Sequence, residues 1–208
     1  PSTGVWSLTS ASSVPSASAA RSASRSAPWR NGGGMTRELA VWPATGDWRW
    51  RMSVAEVTAS GPFSRFAGIT RWFAVLKGDG VLLSVRTPSD SDEAGPCEHR
   101  LTAVDPALCF DGGATTHCSL LGGPTQDFNL MAQDDCLPAR MVRVQGELTV
   151  LAGASKTIAI YAVDSGAGVR FNTEDIFLAG GTLVWRTLTK AATVHIQGSH
   201  VLWMELSA

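Results

Sequence analysis

The sequence predicts an all-β protein of barrel or sandwich class with very little helix. Three observations predict it. From Thr36 onward Val, Ile, Thr, Trp and Phe gather in short runs, the residue types that suit a pleated, half-buried surface. Between the runs Gly, Pro, Asp and Ser recur, as in Lys77-Gly78-Asp79-Gly80, Asp164-Ser165-Gly166 and Ala179-Gly180-Gly181. No ten-residue stretch shows a clean 3.6-residue period that would compete with these strands.

Taken in order, residues 1–27 are rich in Ser and Ala, carry Arg21 and Arg25 and contain no acidic residue, a composition that buries too little apolar surface to order itself. A disordered tail is expected there, followed by one domain over 28–208. The expected strands are Thr36–Val41, Asp47–Val57, Arg71–Leu76 and Gly80–Val85, then Arg100–Val104, Gln126–Met131 and Ala139–Leu151. Lys156–Val163, Thr182–Trp185, Ala192–Ile196 and Val201–Leu206 complete the set. The stretch Thr87–Pro96 combines acidic residues with two prolines and reads as a solvated loop between two halves. The first barrel is therefore expected from about Trp29 to Val85, and the second largely from Ala139 to Leu206.

Composition narrows the function classes. Seventeen basic residues against 18 acidic ones leave a net charge of −1, which gives no field to gather nucleic acid or an anionic membrane. No apolar run approaches the roughly 20 residues that span a bilayer. The four cysteines, Cys97, Cys109, Cys118 and Cys136, show no C-x-x-C spacing, so reduced thiols in a cytoplasmic protein are expected. A zinc site from Cys97, His99, His117 and Cys118 would match no standard ligand spacing. His117, His195 and His200 are isolated, and neither a Ser-His-Asp set nor a phosphate loop is present.

The polar residues of interest cluster between Trp29 and Gly80. In the strand Asp47–Val57, alternation puts Trp48, Trp50, Met52 and Val54 on one face and Arg49, Arg51, Ser53 and Ala55 on the other. That second face meets either solvent or a cavity. Asn31, Thr36 and Glu38 are closely spaced polar groups at the first strand, and Asp127 and Asn129 share a face further on. Gly32-Gly33-Gly34 serves either to bring main-chain N–H groups to an anion or as a hinge out of the tail.

Arg71 precedes Gly78 by seven positions, which resembles the E-x6-G spacing of the first cupin motif with Arg in the place of the carboxylate. No His lies between Trp29 and Glu98, so the two His and one Glu that hold a metal in cupins are missing. A guanidinium repels a cation and grips a carboxylate through a bidentate fork, so the site is expected to take an anion and no metal or other cofactor.

Four segments resemble the HutD/Ves family of cupin-like proteins. They are Trp29-Arg30-Asn31-Gly32-Gly33-Gly34-Met35-Thr36-Arg37-Glu38, Trp50-Arg51-Met52-Ser53-Val54-Ala55, the loop Gly61–Arg71 with Gly61-Pro62-Phe63-Ser64, and Asp127-Phe128-Asn129-Leu130-Met131. The resemblance covers roughly residues 29–206 and implies a cupin-like double β-barrel (bicupin). It also implies an association with histidine utilisation, a moderating role and a small ligand such as an N-formyl amino acid. Two departures bear on ligand preference: Ala132-Gln133-Asp134 stands where an Arg commonly follows, and Thr70 where an Asp commonly precedes the Arg.

The resulting expectation is a metal-independent binding protein for a small carboxylate. Arg51 and Arg71 hold the carboxylate, and Asn31, Thr36, Glu38, Ser53, Asp127 and Asn129 line the same site. A homodimer is compatible with this reading, and neither nucleic acid nor membrane is an expected partner. The alternative is a cupin-fold isomerase or epimerase acting on a small polar substrate or a sugar nucleotide. Its acid-base inventory is thin, since the single tyrosine is Tyr161 and no His lies between Trp29 and Glu98.

Overall fold

The computed structural model describes residues 7–10, 26–29, 32–87, 95–136 and 138–207. The strands are β1 (Ser7–Ser10), β2 (Ser26–Pro28), β3 (Gly34–Trp42), β4 (Trp50–Val57), β5 (Gly61–Pro62), β6 (Ile69–Lys77), β7 (Val81–Arg86) and β8 (Cys97–Leu101). They continue with β9 (Leu108–Asp111), β10 (Thr115–Leu120), β11 (Thr125–Gln133), β12 (Arg140–Ala152), β13 (Lys156–Ala162), β14 (Ala167–Phe171), β15 (Glu174–Leu178), β16 (Thr182–Leu188) and β17 (Ala192–Ser207). The one helical element among the described residues is a 3-10 turn at Asp134–Cys136. The all-β expectation holds. Among the described residues no helix is long and apolar enough to cross a membrane.

The described residues divide into two compact units, one within 26–135 and the other within 136–207 together with Ser7–Ser10. The first unit is a two-sheet barrel. One sheet runs β2-β3-β4-β11-β6-β9 and the other β5-β10-β7-β8, with antiparallel pairing throughout. Val57, Phe73 and Val75 from the first sheet pack with Val81, Leu83, Val85, Leu101 and Cys118 from the second. Burying branched apolar side chains in this way supplies the main drive for closing the barrel. Between β6 and β7 the turn needs glycine: Gly80 has φ of +103°, and a Cβ there would stand 2.4 Å from the Leu101 carbonyl oxygen.

The second unit is a seven-stranded sheet in the order β1-β16-β13-β17-β14-β15, with β12 paired to β17. Its core joins Ile158, Ile160, Val184, Val194, Ile196 and Trp203. A bulge between Val144 and Gly146 lets β12 and β17 stay paired over their length.

The boundary differs from the expected one. The first barrel does not end at Val85, because β8 returns to pair with β7 and β11 inserts between β4 and β6. A run of acidic residues and prolines marks a solvated connection without saying whether it joins two domains or two strands of one sheet; residues 88–94 lie outside the described residues. Of the expected tail, Ser7–Ser10 pairs with β16 and Ser26–Pro28 with β3, while 1–6 and 11–25 lie outside the described residues. The strand expected at Asp47 begins at Trp50. The two strands expected at Ala192–Ile196 and Val201–Leu206 are one, running through Gly198 opposite Gly146.

Candidate functional site

Register places the polar residues of the first barrel in rows on the interior face of its larger sheet. Residues directly opposite across a strand pair share a face. Thr36, Ala55, Asp127 and Val75 form one row; Glu38, Ser53, Asn129 and Phe73 form the next. The row after that is Arg51, Met131, Arg71 and Phe110. A cavity of about 460 Å³ opens over these rows, and its wall includes Thr36, Arg51, Ser53, Arg71, Asn129 and Met131.

Arg71 is 7% exposed. Its Nη2 donates to Asn129 Oδ1 at 2.6 Å, and its guanidinium carbon lies 5.0 Å from the Phe63 ring centroid and 5.2 Å from that of Phe110, within cation-π range. Burial, reinforced by the charge of Arg51, lowers its pKa to about 10, so it stays protonated at neutral pH. Arg51 lies 5.8 Å from the Trp48 ring. The Nε atoms of both arginines are buried without a hydrogen-bond partner among the described residues. None of the described residues lining the cavity is acidic. Two guanidinium groups therefore share a wall that supplies no counter-charge.

Thr36 and Asn129 each keep a donor available. Trp29 Nε1, which can only donate, gives its hydrogen to Thr36 Oγ1 at 2.7 Å, leaving the Thr36 hydroxyl proton for another acceptor. Asn129 accepts from Arg71 through its carbonyl oxygen, which leaves its amide hydrogens available. Ser53 and Ser64 add hydroxyls to the wall.

Aromatic residues close the apolar side. Trp29 packs edge-on against Phe63, with centroids 5.9 Å apart and planes at 86°, and Phe63 continues onto Phe73 at 5.7 Å. The loop carrying Phe63, Ser64 and Phe66 is pinned at both ends: Phe63 N donates to Thr116 O and Phe66 N to Gly112 O, while Arg65 Nε donates to Gly113 O. Gly112 leaves no space for a side chain, since a Cβ would meet the Ile69 and Phe66 carbonyls at 2.7 and 2.9 Å.

Of the expected site residues, Thr36, Arg51, Ser53, Arg71 and Asn129 come together at the cavity. Asn31 lies outside the described residues. Glu38 faces Ser53 across the strand pair beside a bulge and does not reach the wall. Asp127 shares the interior face but sits one row deeper, fully buried. Thr125 Oγ1 donates to its Oδ2 at 2.9 Å, and its Oδ1 has no partner among the described residues. Burial pushes its carboxyl up to about 7, against which the Thr125 hydrogen bond acts only in part. The triple glycine does not line the cavity. Gly32 N donates to the Trp29 carbonyl and Gly33 O accepts from Thr58 N, so the turn serves to lay Trp29 over Gly34.

Sequence reasoning did not assign Trp29, Phe63 and Phe66 to the wall. Gly68, at φ of +72°, marks the turn that ends this loop, and Gly112 is where the loop's backbone comes close. Among the described residues no three His, Cys, Asp or Glu side chains are grouped to hold a metal, and His117 and Cys118, as consecutive strand residues, point to opposite faces.

The chain is 37% identical over 140 residues to an uncharacterised 21.2 kDa protein of the hutC 3′ region in Pseudomonas putida, covering 66% of this chain and 68% of that one. It is 33% identical over 115 residues to protein Ves of Citrobacter koseri, 54% of this chain and 56% of Ves. Among solved structures, a conserved protein of unknown function from Pseudomonas aeruginosa superposes with a TM-score of 0.79 at 28% identity, covering 98% of this chain and all (100%) of that one. HutD from Pseudomonas fluorescens, in a formate condition, gives 0.75 at 26%, covering 98% of each. Oxalate decarboxylase from Lactobacillus farciminis, at 10% identity and TM-score 0.59 over 89% of this chain and 83% of that one, shares the cupin double-barrel fold. The HutD family model matches residues 21–204, and the chain belongs to the HutD family.

Proposed function

We propose that the first barrel binds a small carboxylate, with Arg51 and Arg71 holding the charged end and Thr36, Ser53 and Asn129 donating to the remaining oxygens. The observation that carries this reading is the buried Arg71 beside the half-buried Arg51, both with a buried, unpartnered Nε, at a cavity whose described lining has no acidic residue. A buried cation without compensation bears a heavy desolvation cost, and a carboxylate supplies both the charge and the acceptor-only chemistry that this donor-rich wall lacks. The formate condition of the Pseudomonas fluorescens relative fits the same ligand class. With the hut-linked names of its relatives, this supports a moderating, ligand-sensing role in histidine utilisation, with an N-formyl amino acid as the candidate ligand. The described lining residues include no His, Tyr, Asp, Glu or Lys to exchange protons with a substrate, which favours binding over isomerase or epimerase chemistry.

The test is a thermal-shift panel of formate, glutamate, N-formylglutamate, urocanate and a sugar nucleotide on wild type and Arg71→Met. A ligand at about 100 times its dissociation constant stabilises the native state by roughly 2.7 kcal/mol. For a chain of this size that is a melting shift on the order of 5 to 10 °C. The shift is expected for a carboxylate and is expected to vanish in Arg71→Met; a response to the sugar nucleotide alone would favour the enzyme.

A further inference from the structure

Asp127 is a costly residue to keep where it is. It is fully buried, one of its carboxylate oxygens has no hydrogen-bond partner among the described residues, and no basic side chain is paired with it. Its cross-strand neighbours are Ala55 on β4 and Val75 on β6, with Thr36 of β3 in the same row. The charged or titratable groups around it are the Cys118 thiol on β10, Glu38 one row up on β3, and Arg71 and Arg51 two rows up on β6 and β4. Asn129, which clamps Arg71, follows Asp127 on the same face of β11, and same-face neighbours on a strand are roughly 7 Å apart.

We propose that carboxylate binding at the Arg51–Arg71 wall is coupled to proton uptake by Asp127, which acts on the ligand through its charge without touching it. The inference rests on the carboxylate reading of the cavity. An anion held beside Asn129 and an ionised, fully buried Asp127 repel each other, so the bound state favours the protonated acid. With its carboxyl already pushed up to about 7 by burial, Asp127 is neutral in mild acid and ionised in mild base. Arg71, lowered to about 10, and Cys118, pushed up to about 12, keep one protonation state over the same range. Affinity therefore falls as the pH passes from 6 to 8.5, by roughly tenfold for each unit by which the ligand raises the Asp127 pKa.

Calorimetric titration of the full chain with N-formylglutamate, at pH 6 to 8.5 and in two buffers of different ionisation enthalpy, tests this. Wild type is expected to bind about tenfold more weakly at the high end and to take up a fraction of a proton near pH 7.5; Asp127→Asn is expected to bind with flat pH dependence and no uptake. Wild-type binding without proton uptake overturns the inference and leaves the carboxylate reading standing. Absence of binding at every pH overturns both. Should Asp127→Asn fail to fold, the carboxyl carbon resonance of Asp127 in wild type decides: its titration midpoint must move to higher pH when N-formylglutamate is added, and an unmoved midpoint refutes the coupling.

Discussion

Arg71 and Asn129 are joined by a 2.6 Å hydrogen bond between neighbouring strands, with the amide oxygen of Asn129 standing where a carboxylate would neutralise the guanidinium. An amide fixes the geometry of Arg71 and leaves its charge to be met by something else. The neutrality of Asn129 is thus as consequential for the site as the charge of Arg71.

Asn129→Asp places that carboxylate permanently. Because a buried guanidinium gains a charge-assisted partner, the unliganded variant is expected to be more stable than wild type, by about 1 to 3 kcal/mol. Its carboxylate-induced melting shift is expected to disappear, since the ligand's role has been taken by the side chain. Chemical denaturation with and without formate checks both; a variant that still responds to formate would show that Arg71 is not the anchor.

The stability of the unliganded protein should carry the signature of Asp127. The group's folded pKa, about 7, lies above the ordinary 3.8, so between those values the native state retains a proton that the unfolded chain has lost. Stability from this group is therefore highest below pH 4 and declines as the pH rises to 7, with a limiting slope of about 1.4 kcal/mol per pH unit. Above pH 7 the decline stops. Asp127→Asn removes the dependence, and in urea unfolding it is expected to exceed wild type at pH 8 by a margin that narrows toward pH 4.

Gly34→Ala tests how Trp29 is held. The added methyl would meet the Glu56 carbonyl oxygen at 2.3 Å and the Trp29 ring at 3.2 Å, and backbone oxygen does not yield as a flexible side chain does. A loss of about 1 to 3 kcal/mol is expected, together with weaker ligand binding as Trp29 leaves Thr36 and Phe63. Tryptophan fluorescence should shift; an unperturbed spectrum with full binding would mean that the wall tolerates the displacement.

Much of this architecture was legible because strands advertise themselves through local period and turn residues. β3, β6, β7, β11 and β13 fall where the apolar runs and glycines put them. Elements fixed by distant pairing were less legible. β14 and β15 carry Gly168, Arg170, Glu174 and Asp175 and look like loop until β17 pairs beside them. At the site, alternation and the family motifs together selected Arg51, Ser53, Arg71 and Asn129. Depth along a strand was not readable: Asp127 and Asn129 share a face, yet only Asn129 reaches the cavity. The aromatic wall was missed because Trp and Phe in an all-β sequence suit an ordinary core equally well, and only the loop contacts of Phe63 and Phe66 distinguish the two.

The second barrel carries a buried arginine of its own, and it is treated differently. Arg186, 6% exposed, lies 4.2 Å from the Phe171 ring and 3.5 Å from Glu174, so its counter-ion is built into the chain. Burial lowers its pKa while the Glu174 carboxylate draws it back. On the proposed carboxylate reading the first barrel takes its anion from solution, whereas Arg186 already has Glu174, so one carboxylate per chain is the expected stoichiometry.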